Sequence, residues 1–304
     1  MSRHVAIIGC GHVGADVACS LVTQNYADHI SLFDKKSKKA ASEALELQDM
    51  ASLVGSRVVI DANDKQQLAH IDLVVMAVGP KKTQTVDRLN ELAETSQAAG
   101  MWVPKLRDAG FKGVLINITN PCDVVTTHLA ELLNLPTGHV FGTGTSLDSA
   151  RMRRVVGQQL NVDPASVEGY TMGEHGESQF VAWSSVRVGG VPFTQWPQAE
   201  GVDLSELEMR VRRGGWDILE GKGWTSFGIA AAAAKLVDAV FSDARRVFPV
   251  SALHESLGVF IGQPALIGAQ GVIQTIPVPL TEDEQQRLAA SAQVIRHAKA
   301  SILS

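Results

Sequence analysis

The chain is poor in the features that mark several protein classes. Its 304 residues include three cysteines, Cys10, Cys19 and Cys122, an odd number without CxxC spacing. That count argues against a disulfide framework and against a cysteine-based zinc site. Cationic charge is also short: 27 Lys and Arg stand against 32 Asp and Glu, a formal net charge of −5. Recognition of nucleic acid or of a membrane surface through charge needs the opposite balance. No apolar run approaches the roughly 18 residues of a membrane span; the longest are 73–78 and 229–234. The N-terminal Met-Ser-Arg-His enters a strand-like run without the pattern of a secretory signal, so the expected location is cytoplasmic. What is present is a hydrophobic fraction of 45% with 19% charged residues, too apolar for disorder. The length suits about two domains. The mean hydropathy of +0.06 is slightly oily for a monomer's surface.

Residues 1–145 alternate β-branched runs with helical stretches. The segments 5–8, 30–33, 57–60, 73–78, 114–118 and 140–142 read as strands. Several are apolar throughout, as parallel strands covered on both faces are. Between them 15–25, 37–53, 88–108 and 122–133 read as helices. This order predicts an α/β fold: an N-terminal Rossmann domain over 1–145, a doubly wound parallel sheet with ligands at the carboxyl ends of its strands. Residues 146–304 read as a C-terminal α+β substrate domain. It has helices over 145–160, 204–219 and 226–241 and short strands at 259–261 and 272–276. A last helix opens on the capping-box pattern Thr281-Glu282-Asp283-Glu284.

Gly9-Cys10-Gly11-His12-Val13-Gly14 is a G-x-G-x-x-G placed after the first strand and at the start of a helix. Its glycines permit a tight turn and close approach to a pyrophosphate, and the helix N-terminus supplies N–H donors. Such a pattern alone arises in any glycine-rich loop. Here Asp34, twenty residues after Gly14 at the end of the second strand, strengthens it. A carboxylate there accepts from a ribose 2′-hydroxyl and repels a 2′-phosphate, favouring NAD over NADP. Lys35, Lys36, Lys38 and Lys39 nearby leave two readings open, tolerance of a phosphate or a solvated helix face.

Two further segments carry chemistry. Thr145-Ser146-Leu147-Asp148-Ser149-Ala150-Arg151 opens a helix with Thr145 as its N-cap. The i,i+3 spacing sets Asp148 and Arg151 on one face, by itself no more than a surface ion pair. Gly173-Glu174-His175-Gly176 follows a short strand over 169–172, and the glycines leave the ring open to a cleft. Together Asp148 and His175 make an acid/base pair. A carboxylate on one imidazole nitrogen fixes the tautomer and favours the charged ring. The other nitrogen then exchanges a proton with a ketone or an alcohol. Arg151 offers a planar fork for a substrate carboxylate. With a nicotinamide, these groups define hydride transfer at the carbon beside a carboxylate, and no metal is required. A dinucleotide-binding regulator without catalysis would need none of this set.

On these motifs, with Thr119-Asn120-Pro121-Cys122-Asp123 and Gly223-Trp224-Thr225-Ser226, the sequence resembles the L-lactate and malate dehydrogenase superfamily over nearly the whole chain. The tract 173–187 is most similar to L-2-hydroxyisocaproate dehydrogenases. The resemblance implies His175 as proton donor and acceptor, oriented by Asp148, and Arg151 as the clamp on the substrate carboxylate. It implies Arg88 as the arginine of a closing loop that polarises the carbonyl while water is excluded. Asn120 would reach substrate and cofactor, and Thr225 would line the substrate pocket. Gly9, Gly11, Val13, Gly14, Asp34, Gly79, Ile118 and Thr143 fall where family members contact the dinucleotide. Without the resemblance, Arg88 reads as a surface arginine at a helix start and Asn120-Pro121 as a turn. The implied partners are small 2-oxo and 2-hydroxy acids, with no nucleic acid and no membrane. The implied assembly is a homotetramer or dimer that covers the oily surface, with 45–53 and 229–240 as contact elements.

Some positions depart from the family. Lys82 stands three residues after Gly79, where lactate enzymes carry glutamine and malate enzymes arginine. It either pairs with a second carboxylate, without arginine's fork, or points to solvent above a roomy pocket. The loop 79–88 has the length found in lactate and malate enzymes, not the longer one of the hydroxyisocaproate type. Trp224 replaces a tyrosine, and Gly214-Gly215 leave space for a branched or aromatic side chain. The expected activity is NAD-dependent, reversible reduction of 2-oxo acids to L-2-hydroxy acids, with broad or bulky side-chain tolerance of the 2-oxoisocaproate kind. Lactate dehydrogenase proper and then malate dehydrogenase are the alternatives. Many bacterial lactate dehydrogenases bind fructose 1,6-bisphosphate through an arginine and a histidine. Arg153 fills the first position, but Glu168 in the second would repel a phosphate, so no activation is expected.

Overall fold

The computed structural model describes residues 3–80 and 88–303, with side chains described over 3–80 and 92–301. Six parallel strands form the first part of the sheet: β1 (His4–Ile8), β2 (His29–Phe33), β3 (Val59–Ala62), β4 (Leu73–Met76), β5 (Val114–Asn117) and β6 (Val140–Gly142). Their order, β3-β2-β1-β4-β5-β6, is that of a doubly wound nucleotide-binding sheet. Every residue of β1, β4 and β5 is buried, which explains their unbroken apolar sequences. The third strand starts at Val59, two residues later than the sequence suggests. Ser56 N–H still bonds the Ala51 carbonyl, and pairing begins only at His29 with Val59.

Helices α1 (His12–Gln24), α2 (Ser37–Val54), α3 (Arg88–Gly100), α4 (Val103–Asp108) and α5 (Cys122–Leu133) cover the two faces. The stretch 88–108, expected as one helix, is therefore two. Pro104 lies in the first turn of α4, where its missing N–H costs nothing; inside a continuous helix it would remove a bond and clash with the preceding turn.

After α6 (Ser146–Leu160) the chain makes five two-residue strands: β7 (Val167–Glu168), β8 (Thr171–Met172), β9 (Phe180–Val181), β10 (Arg187–Val188) and β11 (Val191–Pro192). Then follow α7 (Leu204–Lys222), α8 (Phe227–Phe241), β12 (Arg246–His254), β13 (Val259–Gly268), β14 (Gly271–Thr275) and α9 (Glu282–Leu303). Strand β12 is not foreseen from the sequence, because Pro249 in its middle reads as a strand breaker. It pairs antiparallel with β13 along its length and with β6 at Ser251 and Gly142. The sheet thus runs on past residue 145 to nine strands, ending β6-β12-β13-β14. The capping box of α9 forms: Thr281 N–H donates to Glu284 Oε2 at 2.9 Å and Glu284 N–H to Thr281 Oγ1 at 3.3 Å.

One core lies under α1, α2 and α8, and a second under α3, α5 and α9 on the opposite face. Helix α8 buries Ala230, Ala233, Ala234, Leu236, Val237, Ala239 and Val240 inside the chain, its alanines allowing close approach to α1. Most of the apolar surface expected over 229–240 for contacts between copies is thereby used within one copy. Helix α2 is different, with Leu45, Leu53 and Val54 exposed. Among the described residues no helix is long and apolar enough to cross a membrane.

Candidate active site

The strand ends gather the candidate cofactor residues. Gly9 follows β1, Asp34 follows β2 and Gly79 lies just beyond β4. Ile118 and Asn120 follow β5, and Thr143 follows β6. All border the carboxyl edge around the crevice between β1 and β4, where the strand order reverses. Gly9 has φ +100°, and a Cβ there would lie 2.5 Å from the Ala77 carbonyl oxygen. A Cβ on Gly14 would lie 1.9 Å from the Gly9 carbonyl oxygen. These two glycines are required by the packing of the loop itself. Gly11, the N-cap of α1, would present a Cβ to open space, and no side chain caps the helix. That opening at a helix N-terminus is a cradle suited to a pyrophosphate.

Asp34 accepts hydrogen bonds from Cys10 N–H at 2.9 Å and Lys36 N–H at 2.8 Å. It fastens the glycine loop while remaining half-buried where a ribose hydroxyl can reach it. Lys35, Lys36 and Lys38 are exposed, which fits a solvated face. Val13 packs partly into the core, Ile118 and Thr143 are buried, and Gly79 and Asn120 are exposed. These residues fit a dinucleotide. Burial pushes the Cys10 and Cys122 thiols up to about 12, so neither supplies a thiolate beside the cleft.

The acid/base set assembles on α6 and the loop after β8. Asp148, in the first turn of α6, has no solvent exposure, and its carboxylate is shared. Oδ2 meets His175 Nδ1 at 2.6 Å, and Oδ1 accepts from Arg151 Nη1 at 2.8 Å. The sequence alone allowed a surface ion pair; the pair is instead almost fully desolvated, with Arg151 11% exposed and His175 22%. Burial opposes the charge on each group, but pairing outweighs it. His175 and Arg151 hold the Asp148 carboxyl below its ordinary value, and Asp148 lifts the His175 imidazole above its own. Thr145 caps α6 by position only, for its side chain makes no capping bond and its Oγ1 is buried without a partner.

Asp123, in the first turn of α5, is a residue that sequence reasoning missed. Its Oδ2 accepts His175 N–H at 2.8 Å and its Oδ1 accepts the Ser251 hydroxyl at 2.6 Å. Burial raises this carboxyl to about 6 against the pull of those two bonds. Beside it, Glu174 N–H donates to Ser291 Oγ at 2.6 Å. The loop carrying His175 is thus pinned at consecutive residues to α9 and α5. An acid at a helix start reads as a partner of the helix dipole, so only the fold exposes this second role.

Helix α7 walls the other side. A Cβ on Gly215 would stand 3.2 Å and 3.3 Å from the two terminal guanidinium nitrogens of Arg151. One on Gly214 would meet Arg154 Nη2 at 3.3 Å and the Arg151 stem at 3.7 Å, so Gly214 serves helix packing and Gly215 borders the clamp. Arg212 and Trp216 donate to the Glu177 carbonyl and carboxylate at 3.1 Å and 3.0 Å, tying α7 to the histidine loop. Thr225 is half-buried between α7 and α8. Its neighbour Trp224 stacks on His12 of the glycine loop, with ring centroids 4.1 Å apart and planes 7° apart. Lys82 and the Arg88 side chain lie outside the described residues; Arg88 is placed as the first residue of α3. Glu168 is exposed on β7, opposite Arg187 of β10, and Arg153 Nε is buried without a partner.

Comparison with known proteins agrees with this geometry. The profile described as lactate/malate dehydrogenase, NAD binding domain, matches residues 3–142, and that of the family's alpha/beta C-terminal domain matches residues 145–304. An L-lactate dehydrogenase of Fusobacterium nucleatum is 38% identical, over 97% of this chain and 95% of its own. L-lactate dehydrogenase 3 of Bacillus anthracis is 34% identical over 97% and 96%. The crystal structure of a lactate dehydrogenase from a Medee basin deep-sea metagenome library matches with TM-score 0.95 and 29% identity over 100% of both chains. That of the minor L-lactate dehydrogenase of Enterococcus mundtii matches with TM-score 0.94 and 30% identity, over 99% and 98%.

Proposed function

The chain belongs to the lactate/malate dehydrogenase family as an NAD-dependent 2-hydroxyacid dehydrogenase, and we propose that it prefers 2-oxo monocarboxylates with bulky side chains. The observation carrying that preference is Gly215, which leaves the wall beside the Arg151 guanidinium without a side chain. Gly9, Gly11, Gly14 and Asp34 would hold NADH, which would supply the hydride. Arg151 takes the substrate carboxylate in its fork and so places the 2-oxo carbon. His175 presents the proton on Nε2 to the carbonyl oxygen, while the bond from Nδ1 to Asp148 keeps the ring oriented and its charge stabilised. The proton passes from Nε2 to oxygen as the alcohol forms, and oxidation runs the same transfer backwards. By resemblance to the family, Arg88 polarises the carbonyl, and Asn120 and Thr225 line the substrate and cofactor cleft.

Lactate dehydrogenase proper is the second reading, favoured by the names of relatives at 34–38% identity. NADH oxidation measured with pyruvate, 2-oxoisocaproate, phenylpyruvate and oxaloacetate separates the two. The expected kcat/KM for 2-oxoisocaproate or phenylpyruvate equals or exceeds that for pyruvate. A wide margin for pyruvate establishes the second reading, and a lead for oxaloacetate makes the enzyme a malate dehydrogenase.

A homotetramer or dimer is proposed as the working form. Its support is the exposed apolar side chains Leu45 and Leu53 on one side of α2, which a second copy would cover. Light scattering on the purified protein should give a mass two or four times that of one chain; a monomer mass removes the proposal.

A further inference from the structure

At the amino ends of β1 and β2, and reaching Ser31 within β2 and Asp61 within β3, lies a polar cluster the reaction does not use. His4 and His29 are register partners on adjacent strands, as are Ser31 and Asp61. The two imidazoles stack with centroids 3.9 Å apart and planes 4° apart. Both aim Nε2 at one place: His4 Nε2 lies 2.8 Å from Ser31 Oγ, and His29 Nε2 makes a very short contact with Asp61 Oδ2. Ser31 Oγ in turn donates to the same carboxylate oxygen at 2.9 Å. The other oxygen, Asp61 Oδ1, is buried and has no hydrogen-bond partner. A desolvated carboxylate oxygen without a partner is costly, and two imidazoles beside it supply the ligands that a borderline-soft cation selects.

We propose that His4, His29 and Asp61 form a binding site for a divalent transition-metal cation of the zinc class. Their ligand atoms lie within 4.8 Å of one another. Tetrahedral coordination at roughly 2.0–2.1 Å sets ligands about 3.3 Å apart, so the short contact between His29 Nε2 and Asp61 Oδ2 opens as the ion enters between them. His4 is buried, whereas His29 and Asp61 retain 19% and 25% side-chain exposure and provide the way in. The cation ties three neighbouring strands together, so its effect falls on stability, away from the catalytic edge.

Zinc alone is the probe, with binding measured by isothermal titration calorimetry on the intact protein and thermal melting followed with and without zinc. The expected result is one ion per chain, a rise in Tm, and a loss of affinity of more than about tenfold in both His29→Ala and Asp61→Asn. Cobalt binding to the unmodified protein gives a second readout, the intense visible absorption of a tetrahedral site, which does not depend on how the variants fold. No zinc binding at 1:1 stoichiometry, or undiminished binding in both variants, overturns the proposal.

Discussion

Replacing His175 with Asn lowers kcat for 2-oxo acid reduction by roughly 10²- to 10⁴-fold, the range spanned by a positioned general acid, and leaves NADH binding nearly unchanged. The asparagine keeps the backbone N–H that Asp123 holds at 2.8 Å, so the loop stays in place. What is lost is a group that can carry a proton and pass it on. Among the described residues no hydrogen bond joins the loop Gly9–Gly14 to this side chain, which pairs with Asp148 instead, so a fluorescence titration of NADH checks the second half of the expectation. Retained turnover would remove His175 from the proton transfer.

Arg151→Gln should cost a comparable amount by a different route. A guanidinium fork on a carboxylate makes two charge-assisted bonds, each contributing about 1.5–3 kcal/mol, so kcat/KM falls by roughly 10²- to 10⁴-fold. Because the carboxylate is bound in ground state and transition state alike, most of that loss enters KM. Arg151→Lys keeps the charge but not the fork and lies between the two. Arg151 also supports Asp148 through the 2.8 Å bond to Oδ1, so the glutamine variant relaxes the carboxylate that charges His175 and takes a smaller share from kcat. Steady-state kinetics on both variants resolve the split, and an unchanged KM would show that the carboxylate is held elsewhere.

Much of this site was legible as sequence because its parts are local. The glycine loop, Asp34, the Asp148–Arg151 spacing and the Gly173–Gly176 turn each lie within one strand end or one helix turn. Periodicity alone placed the parallel strands, whose burial on both faces leaves continuous apolar runs. What stayed hidden depends on contacts between distant segments. Asp123 reads as an ordinary first-turn acid until β12 brings Ser251 and the histidine loop to it. Strand β12 itself is masked by Pro249, which the sheet accommodates opposite Pro264. The stack of Trp224 on His12 joins the cofactor loop to the substrate side, and neither residue signals the other in sequence. Helix α8 shows the converse: an alanine-rich run that looks like surface for another copy packs against α1 within the chain.

On the function proposed above, His175, charged by its bond to Asp148, gives the proton in reduction and takes it in oxidation. Its pKa is raised above the ordinary histidine value, since the partner carboxylate outweighs the burial that opposes charge. The protonated form needed for reduction therefore persists to higher pH than in an ordinary histidine. The most direct test is kcat/KM measured against pH in both directions on the unmodified enzyme. Reduction of a 2-oxo acid should fall about tenfold per pH unit above a pKa higher than the ordinary value, and oxidation of the 2-hydroxy acid should rise through the same pKa. Parallel profiles in the two directions, or no break in either, would contradict the account.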